Sequence, residues 1–235
     1  MGRLRNLSSD EILIQVYYAT KICRVSNIFK IDNIVFMGMG EPADNSEAVC
    51  TATRILTDRQ LFQMSQSKVT VSTVAPDPQS FALFADAPCI LAWSVHGATD
   101  ELRKTLVPTT RYTMVELREG LIEVLRRRPK RLRTTMLEYV LIDGINDSRE
   151  DAEALAKFSQ GIIDAVPKCK VVVNIIPFND IGHPTYNTPT MDTVYSFQSV
   201  LMENNTAAYI RTTRGDDESA ACGQLATSKR AKPST

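Results

Sequence analysis

Five apolar runs of strand length punctuate this chain at fairly regular intervals: NIVFMGMG (33–40), KVTVSTVA (68–75), CILAWSVHG (89–97), TTMLEYVLIDG (134–144) and KVVVNIIPFN (170–179). Each is rich in β-branched or aromatic residues and bounded by turn formers, the pattern of strands. Helical stretches lie between them at 46–61, 77–86, 113–128 and 149–163, and another follows at 190–204. LSSDEILIQVYYATKIC (7–23) opens the series as a helix. Ser8 or Ser9 can cap it, acidic residues fill its first turn, and Ile12, Val16 and Ala19 mark an apolar face. Strand and helix in alternation, with near-continuous apolar strands, predict an α/β fold on a parallel sheet buried on both faces.

In such folds ligands sit at the carboxyl ends of the strands. Here those ends read GMGEP, STVAP, SVHG, IDGIND and NIIPFND. Strand-to-helix turns need Gly, Asp and Asn for their own geometry, which accounts for part of this. It accounts less well for all the ends together. GMGEP (38–42) has two glycines that let a ligand approach the backbone, and Glu41 adds a carboxylate suited to an ammonium group. It is neither a P-loop nor GxGxxG, and a tight turn before the next helix explains it equally. Ser72, Ser94, His96 and Asn174 are polar positions inside apolar runs, and each needs a partner in a neighbouring strand or in a ligand.

Composition narrows the function classes. The 235 residues suit one domain, and Lys+Arg and Asp+Glu both number 27, so no global charge argues for nucleic-acid binding. Any such surface must be local, and RRRPKRLR (126–133) is one basic cluster, readable as an RNA contact or as a solvated helix end. The five cysteines are widely spaced and form no CxxC or CxxxCxxC, so local spacing gives no zinc or iron–sulfur site, and a reduced compartment fits them. No apolar run approaches the roughly 20 residues that span a bilayer. No GxSxG elbow supports a serine hydrolase. Cys222, in ESAACGQL after RTTRGDD, reads either as a small buried hydrophobe or as a reactive thiol near arginine.

The ordered set NIVFMGMGEP, VTVSTVA, AWSVHGATDELRKTLVPTT, YVLIDGINDS, VNIIPFN and RTTRGDDESAACGQL resembles the RlmN/Cfr family of radical S-adenosylmethionine RNA methyltransferases. The likeness runs from Gly2 to Leu225. It implies a partial (β/α)6 TIM-like barrel over 1–210, a catalytic-cysteine segment over 211–225 and a flexible tail over 226–235. Gly40 and Glu41 would hold the methionine end of S-adenosylmethionine. Ser72, then Ser94, Val95 and His96, then Asn174 would line the cofactor from successive strands. Cys222 would be the methyl-carrying cysteine. It would take a methyl group from one S-adenosylmethionine, and a radical generated from a second at a [4Fe–4S] cluster would activate that methyl for addition to adenine. C2 of the adenine (RlmN type) is the expected position, with C8 (Cfr type) the alternative, in large-subunit ribosomal RNA and also transfer RNA. An electron donor, a monomeric state and a cytoplasmic or organellar setting go with this reading.

The family's CxxxCxxC cluster loop, its resolving cysteine and its first barrel strand do not occur in the sequence. The expectation is therefore an N-terminally truncated chain, inactive in the radical step and prone to aggregate. A non-catalytic S-adenosylmethionine- or RNA-binding relative is the alternative. A sugar-phosphate lyase is disfavoured, since no phosphate loop or Schiff-base lysine stands out.

Overall fold

The computed structural model describes residues 5–179 and 185–211. Helix α1 (Ser9–Val25) comes first. Strands β1 (Ile34–Phe36), β2 (Val69–Thr73), β3 (Ile90–Ser94), β4 (Thr134–Leu141), β5 (Lys170–Pro177) and β6 (Ala207–Ile210) follow. They are joined by α2 (Ser46–Thr57), α3 (Gln79–Ala82), α4 (Asp100–Leu106), α5 (Met114–Arg127), α6 (Arg149–Ala165) and α7 (Met191–Glu203). The six strands form one parallel sheet in chain order, β1 to β6. Strict chain order is the arrangement of a (β/α) barrel, since a doubly wound sheet reverses its order at a switch point.

All five expected strands are present, each ending before the turn that its sequence run includes. β6 was not expected: AAYI is too short to stand out as an apolar run. α4 was not expected either; Thr99 caps it, accepting the Leu102 N–H at 3.3 Å. The helix expected over 46–61 stops at Thr57, where Asp58 turns the chain by accepting the Gln60 N–H on its side chain at 2.7 Å. The helix expected over 77–86 is the single turn α3. At α1 the cap is Ser8, in a reciprocal capping box with Glu11.

The two faces of the sheet differ, contrary to the expectation of burial on both. Leu91, Trp93, Leu137, Tyr139, Val173 and Ile175 point to one face and are fully buried. There Trp93 packs edge-on to Phe81 of α3 and against Phe158 of α6, and Tyr139 stacks on Phe197 of α7. The intervening positions Ser94, Met136, Val140, Val172 and Asn174 are only half-buried. β5 alternates like a strand with one sealed face and one partly open face, and so does β4 apart from Glu138; Glu138, Ser72 and Ala92 are buried although they belong to the more open face. The polar positions singled out in the sequence lie on the open face.

Helix α1 has no fully buried residue. Ile12, Leu13 and Val16 pack partly on the core, while Tyr18, Ile22 and Val25 stay exposed along the opposite side.

Candidate functional site

The glycine turn after β1 is fixed at both ends. Gly38 and Gly40 adopt positive φ of 99° and 71°, a conformation other residues enter at a cost. A Cβ built on either would meet nothing within 4 Å, so backbone conformation rather than crowding calls for glycine there. The Glu41 carboxylate accepts the Ala43 N–H at 2.9 Å through one oxygen and the Val74 N–H at 2.9 Å through the other. Glu41 thus ties the turn to the end of β2, and part of its acceptor capacity is already used.

At the next two strand ends, the Ser72 and Ser94 hydroxyls lie 3.3 Å apart and share a hydrogen bond. Ser72 pairs in register with Ala92, two residues before Ser94, so both side chains rise on the open face. The end of β3 is then held from behind. Arg103 of α4 is 1% exposed and donates to the carbonyls of Ser94 (2.6 Å), Val95 (2.7 Å) and Val74. Burial pulls its guanidinium down to about 10. Val95 itself is fully buried, and its N–H donates to the Glu138 carbonyl at 3.0 Å. Its contribution here is to fix the strand end.

His96 sits at positive φ (52°), which costs a non-glycine residue about 1 kcal/mol or more. Three contacts hold it there. The Val140 N–H donates to His96 Nδ1 at 3.2 Å, Asn146 Nδ2 donates to its carbonyl at 3.0 Å, and its own N–H reaches the Glu138 carbonyl at 3.4 Å. Asn146 is fully buried and also binds the Val140 carbonyl and the Ile142 N–H, so the clamp is rigid. Burial, reinforced by Arg103, pushes the imidazole down to about 4. His96 is therefore neutral at physiological pH, with Nδ1 accepting and the ring proton on Nε2.

Ser94, Glu138 and Asn174 stand in one row across β3, β4 and β5. Asn174 Nδ2 donates to Glu138 Oε2 at 2.8 Å. The structure thus places Gly40, Glu41, Ser72, Ser94 and His96 at the carboxyl ends of β1, β2 and β3, and Asn174 within β5 on the same face of the sheet. Cys222 and the segments proposed for 212–235 lie outside the described residues. Sequence reasoning missed Arg103, Asn146 and Glu138. Glu138 carried the signal that revealed Ser72 and Asn174, a polar residue inside an apolar run.

The open face suits S-adenosylmethionine, a small ligand rich in donors and acceptors. It presents hydroxyls, a neutral imidazole, a carboxamide and glycine backbone with room beside it. The described cysteines do not suit a [4Fe–4S] cluster. Cys50 and Cys89 are buried in the core, and burial pushes the Cys89 and Cys169 thiols up to about 11. No three His, Cys, Asp or Glu side chains converge as metal ligands among the described residues.

The basic run 126–133 is partly tied into the fold, while Arg126, Arg127, Lys130 and Arg131 remain exposed. Arg126 donates to the Ala165 carbonyl, Arg128 is buried on the carbonyls of Ala87 and Cys89, and Arg133 binds those of Arg126, Arg128 and Pro167. Arg131 binds Gln66 beside a groove of about 890 Å³ that includes Arg59, Ser65 and Ser67. That groove lies at the amino ends of β2 and β4, away from the polar row.

Sequence comparison finds clear relatives. The chain is 38% identical over 242 residues to the dual-specificity RNA methyltransferase RlmN of Desulfotalea psychrophila, covering 100% of this chain and 64% of that protein. It is 40% identical over 223 residues to RlmN of Geotalea uraniireducens, covering 94% and 60%.

Over the stretch it spans, this chain is similar to the RlmN RNA methyltransferases.

The fold agrees. A radical SAM methyltransferase from Sphaerobacter thermophilus superposes with a TM-score of 0.83 at 35% identity, over 95% of this chain and 63% of that one. A domain of pyruvate-formate lyase-activating enzyme from Bacteroides vulgatus matches at TM-score 0.56 and 15% identity, which is a likeness of fold alone. No protein-family profile matches the chain. The chain spans about three fifths of the length of these RlmN relatives.

Proposed function

We propose that this chain is the S-adenosylmethionine-binding barrel of a radical RNA methyltransferase that modifies C2 of adenine in ribosomal and transfer RNA. One observation carries the reading. The Ser72–Ser94 pair and neutral His96 at the ends of β2 and β3, and Asn174 within β5, lie on the more open face of the sheet, on the side of the glycine turn of Gly38–Glu41.

In this reading Gly40 and Glu41 hold the methionine end of the cofactor. Ser72, Ser94, Val95 and His96 form the wall from β2 and β3, with Val95 contributing through the strand end it fixes, and Asn174 closes the row from β5. His96 Nε2–H donates and the serine hydroxyls do either, so the wall can meet acceptors as well as donors. When bound, S-adenosylmethionine supplies an electrophilic methyl group and, on one-electron reduction, radical chemistry. Cys222 is assigned as the thiol that carries the methyl group, a role that requires its thiolate form and access to both cofactor and RNA. The described residues supply no ligand set for an iron–sulfur cluster.

The test is genetic and chemical. Deleting the gene removes 2-methyladenine from ribosomal and transfer RNA, as read by nucleoside mass spectrometry. Complementation with the native gene restores it, and complementation with Cys222→Ala does not. Unchanged 2-methyladenine after deletion, or full restoration by Cys222→Ala, contradicts the reading.

A further inference from the structure

Glu138 is a carboxylate that the cofactor wall described above does not use. It is 2% exposed, in the middle of β4. A buried carboxyl group is costly unless its oxygens are paired. Here only Oε2 is paired, by Asn174 Nδ2 at 2.8 Å; Oε1 is buried with no hydrogen-bond partner among the described residues. An apolar residue would fill this core position without that cost, so the carboxylate calls for a reason other than packing.

Its register supplies one. Glu138 lies opposite Ser94 on one side and Asn174 on the other, on the same face of the sheet. An ionised carboxylate only accepts hydrogen bonds. It therefore orients the neighbouring carboxamide: the NH2 of Asn174 must turn toward Glu138, and Oδ1 is left on the other side. An apolar side chain at 138 would leave that carboxamide free to flip.

We propose that Glu138 is a positioning residue that fixes Asn174 so that its carboxamide oxygen, an acceptor, meets a donor group of the bound adenosyl ligand. Resting on the S-adenosylmethionine reading, this assigns the donor side of the ligand (ammonium, ribose hydroxyl or adenine amine) to the β5 end of the site. Burial raises the Glu138 pKa, against the Asn174 hydrogen bond and the charge of Arg211, which both lower it.

A double-mutant cycle tests this, with S-adenosylmethionine titrated into the chain and binding followed by NMR, and with thermal melts to establish that each variant folds. Glu138→Ala and Asn174→Ala each weaken binding about tenfold, the worth of one well-placed hydrogen bond. The double variant is no weaker than either single one, because the two residues act as a unit. Parent-like binding by Glu138→Ala contradicts the proposal, as does a double variant about 100-fold weakened, the product of two independent losses. The side-chain NH2 resonances of Asn174 in the ligand-free chain give a readout independent of the cofactor. They shift in Glu138→Gln, where a neutral amide replaces the carboxylate, and resonances unmoved from the parent overturn the positioning role. If the parent binds no S-adenosylmethionine, the reading of the site and the ligand contact of Asn174 fall together, while the orientation of Asn174 by Glu138 is still decided by those resonances.

Discussion

Arg103 Nη1 lies 2.6 Å from the Ser94 carbonyl and 2.7 Å from that of Val95, so one nitrogen of a buried guanidinium ties together the end of β3. The other terminal nitrogen binds the Val74 carbonyl, joining the end of β2 to the same anchor. The cation also lies over the Trp93 ring, 5.6 Å from its centroid. Arg103→Met keeps much of the volume but leaves three carbonyls without their donor. It is expected to cost about 3 kcal/mol or more in urea unfolding, because each abandoned buried group carries its own desolvation penalty. A loss below about 1 kcal/mol shows that water or a rearranged turn replaces the guanidinium readily.

His96 gives the chain a defined pH dependence. Unfolded, the imidazole binds a proton near pH 6.5; folded, it does so only near pH 4. Between those values the unfolded chain binds more protons, so stability falls as pH drops from 6.5 toward 4, by up to about 3 kcal/mol. His96→Asn suits the positive φ and cannot titrate, so its urea midpoint varies less over that window than the parent's. Equal slopes for the two proteins contradict a buried neutral imidazole.

Gly97 follows at once and is confined by packing. A Cβ there would lie 2.9 Å from Leu102 Cγ and 3.0 Å from the backbone nitrogen of Arg103. The side chain can yield but the helix backbone cannot without moving Arg103, so Gly97→Ala is expected to cost about 1–3 kcal/mol. Chemical denaturation reads the loss. The backbone amide shifts of Ser94 and Val95 report whether the anchor moves with it.

Much of this fold could be read from the sequence because β1 to β5 are apolar runs bounded by turns. β6 has only four residues, and its place beside β5 is a tertiary fact. The residues of the candidate site stood out wherever a polar residue interrupted an apolar run, as at Ser72 and Asn174. The same rule applied to TTMLEYVL marks Glu138. Arg103 was not legible: in TDELRKTL it stands among charged neighbours, and its burial is decided by three carbonyls contributed by two other segments. In 126–133 the sequence did not separate Arg126, Arg128 and Arg133, which bind carbonyls, from Arg127, Lys130 and Arg131, which stay exposed.

The outer side of α1 predicts self-association. Tyr18, Ile22 and Val25, at i, i+4 and i+7, are 58%, 61% and 88% exposed and lie along one stripe. Phe29 just beyond is 95% exposed. Light scattering coupled to size exclusion should show mass rising with concentration, and Ile22→Lys should restore a monomer. A parent that stays monomeric at high concentration shows that the stripe is harmless in water.

The central claim is that the open face of the sheet, at the carboxyl ends of its strands, is an S-adenosylmethionine site. Titration of the labelled chain with S-adenosylmethionine, followed by two-dimensional amide NMR, tests it most directly. The account predicts saturable shifts at Gly38–Glu41, Ser72, Ser94–His96 and Asn174. An absence of shifts up to millimolar ligand, or shifts confined to the groove of Arg59 and Arg131, would contradict it.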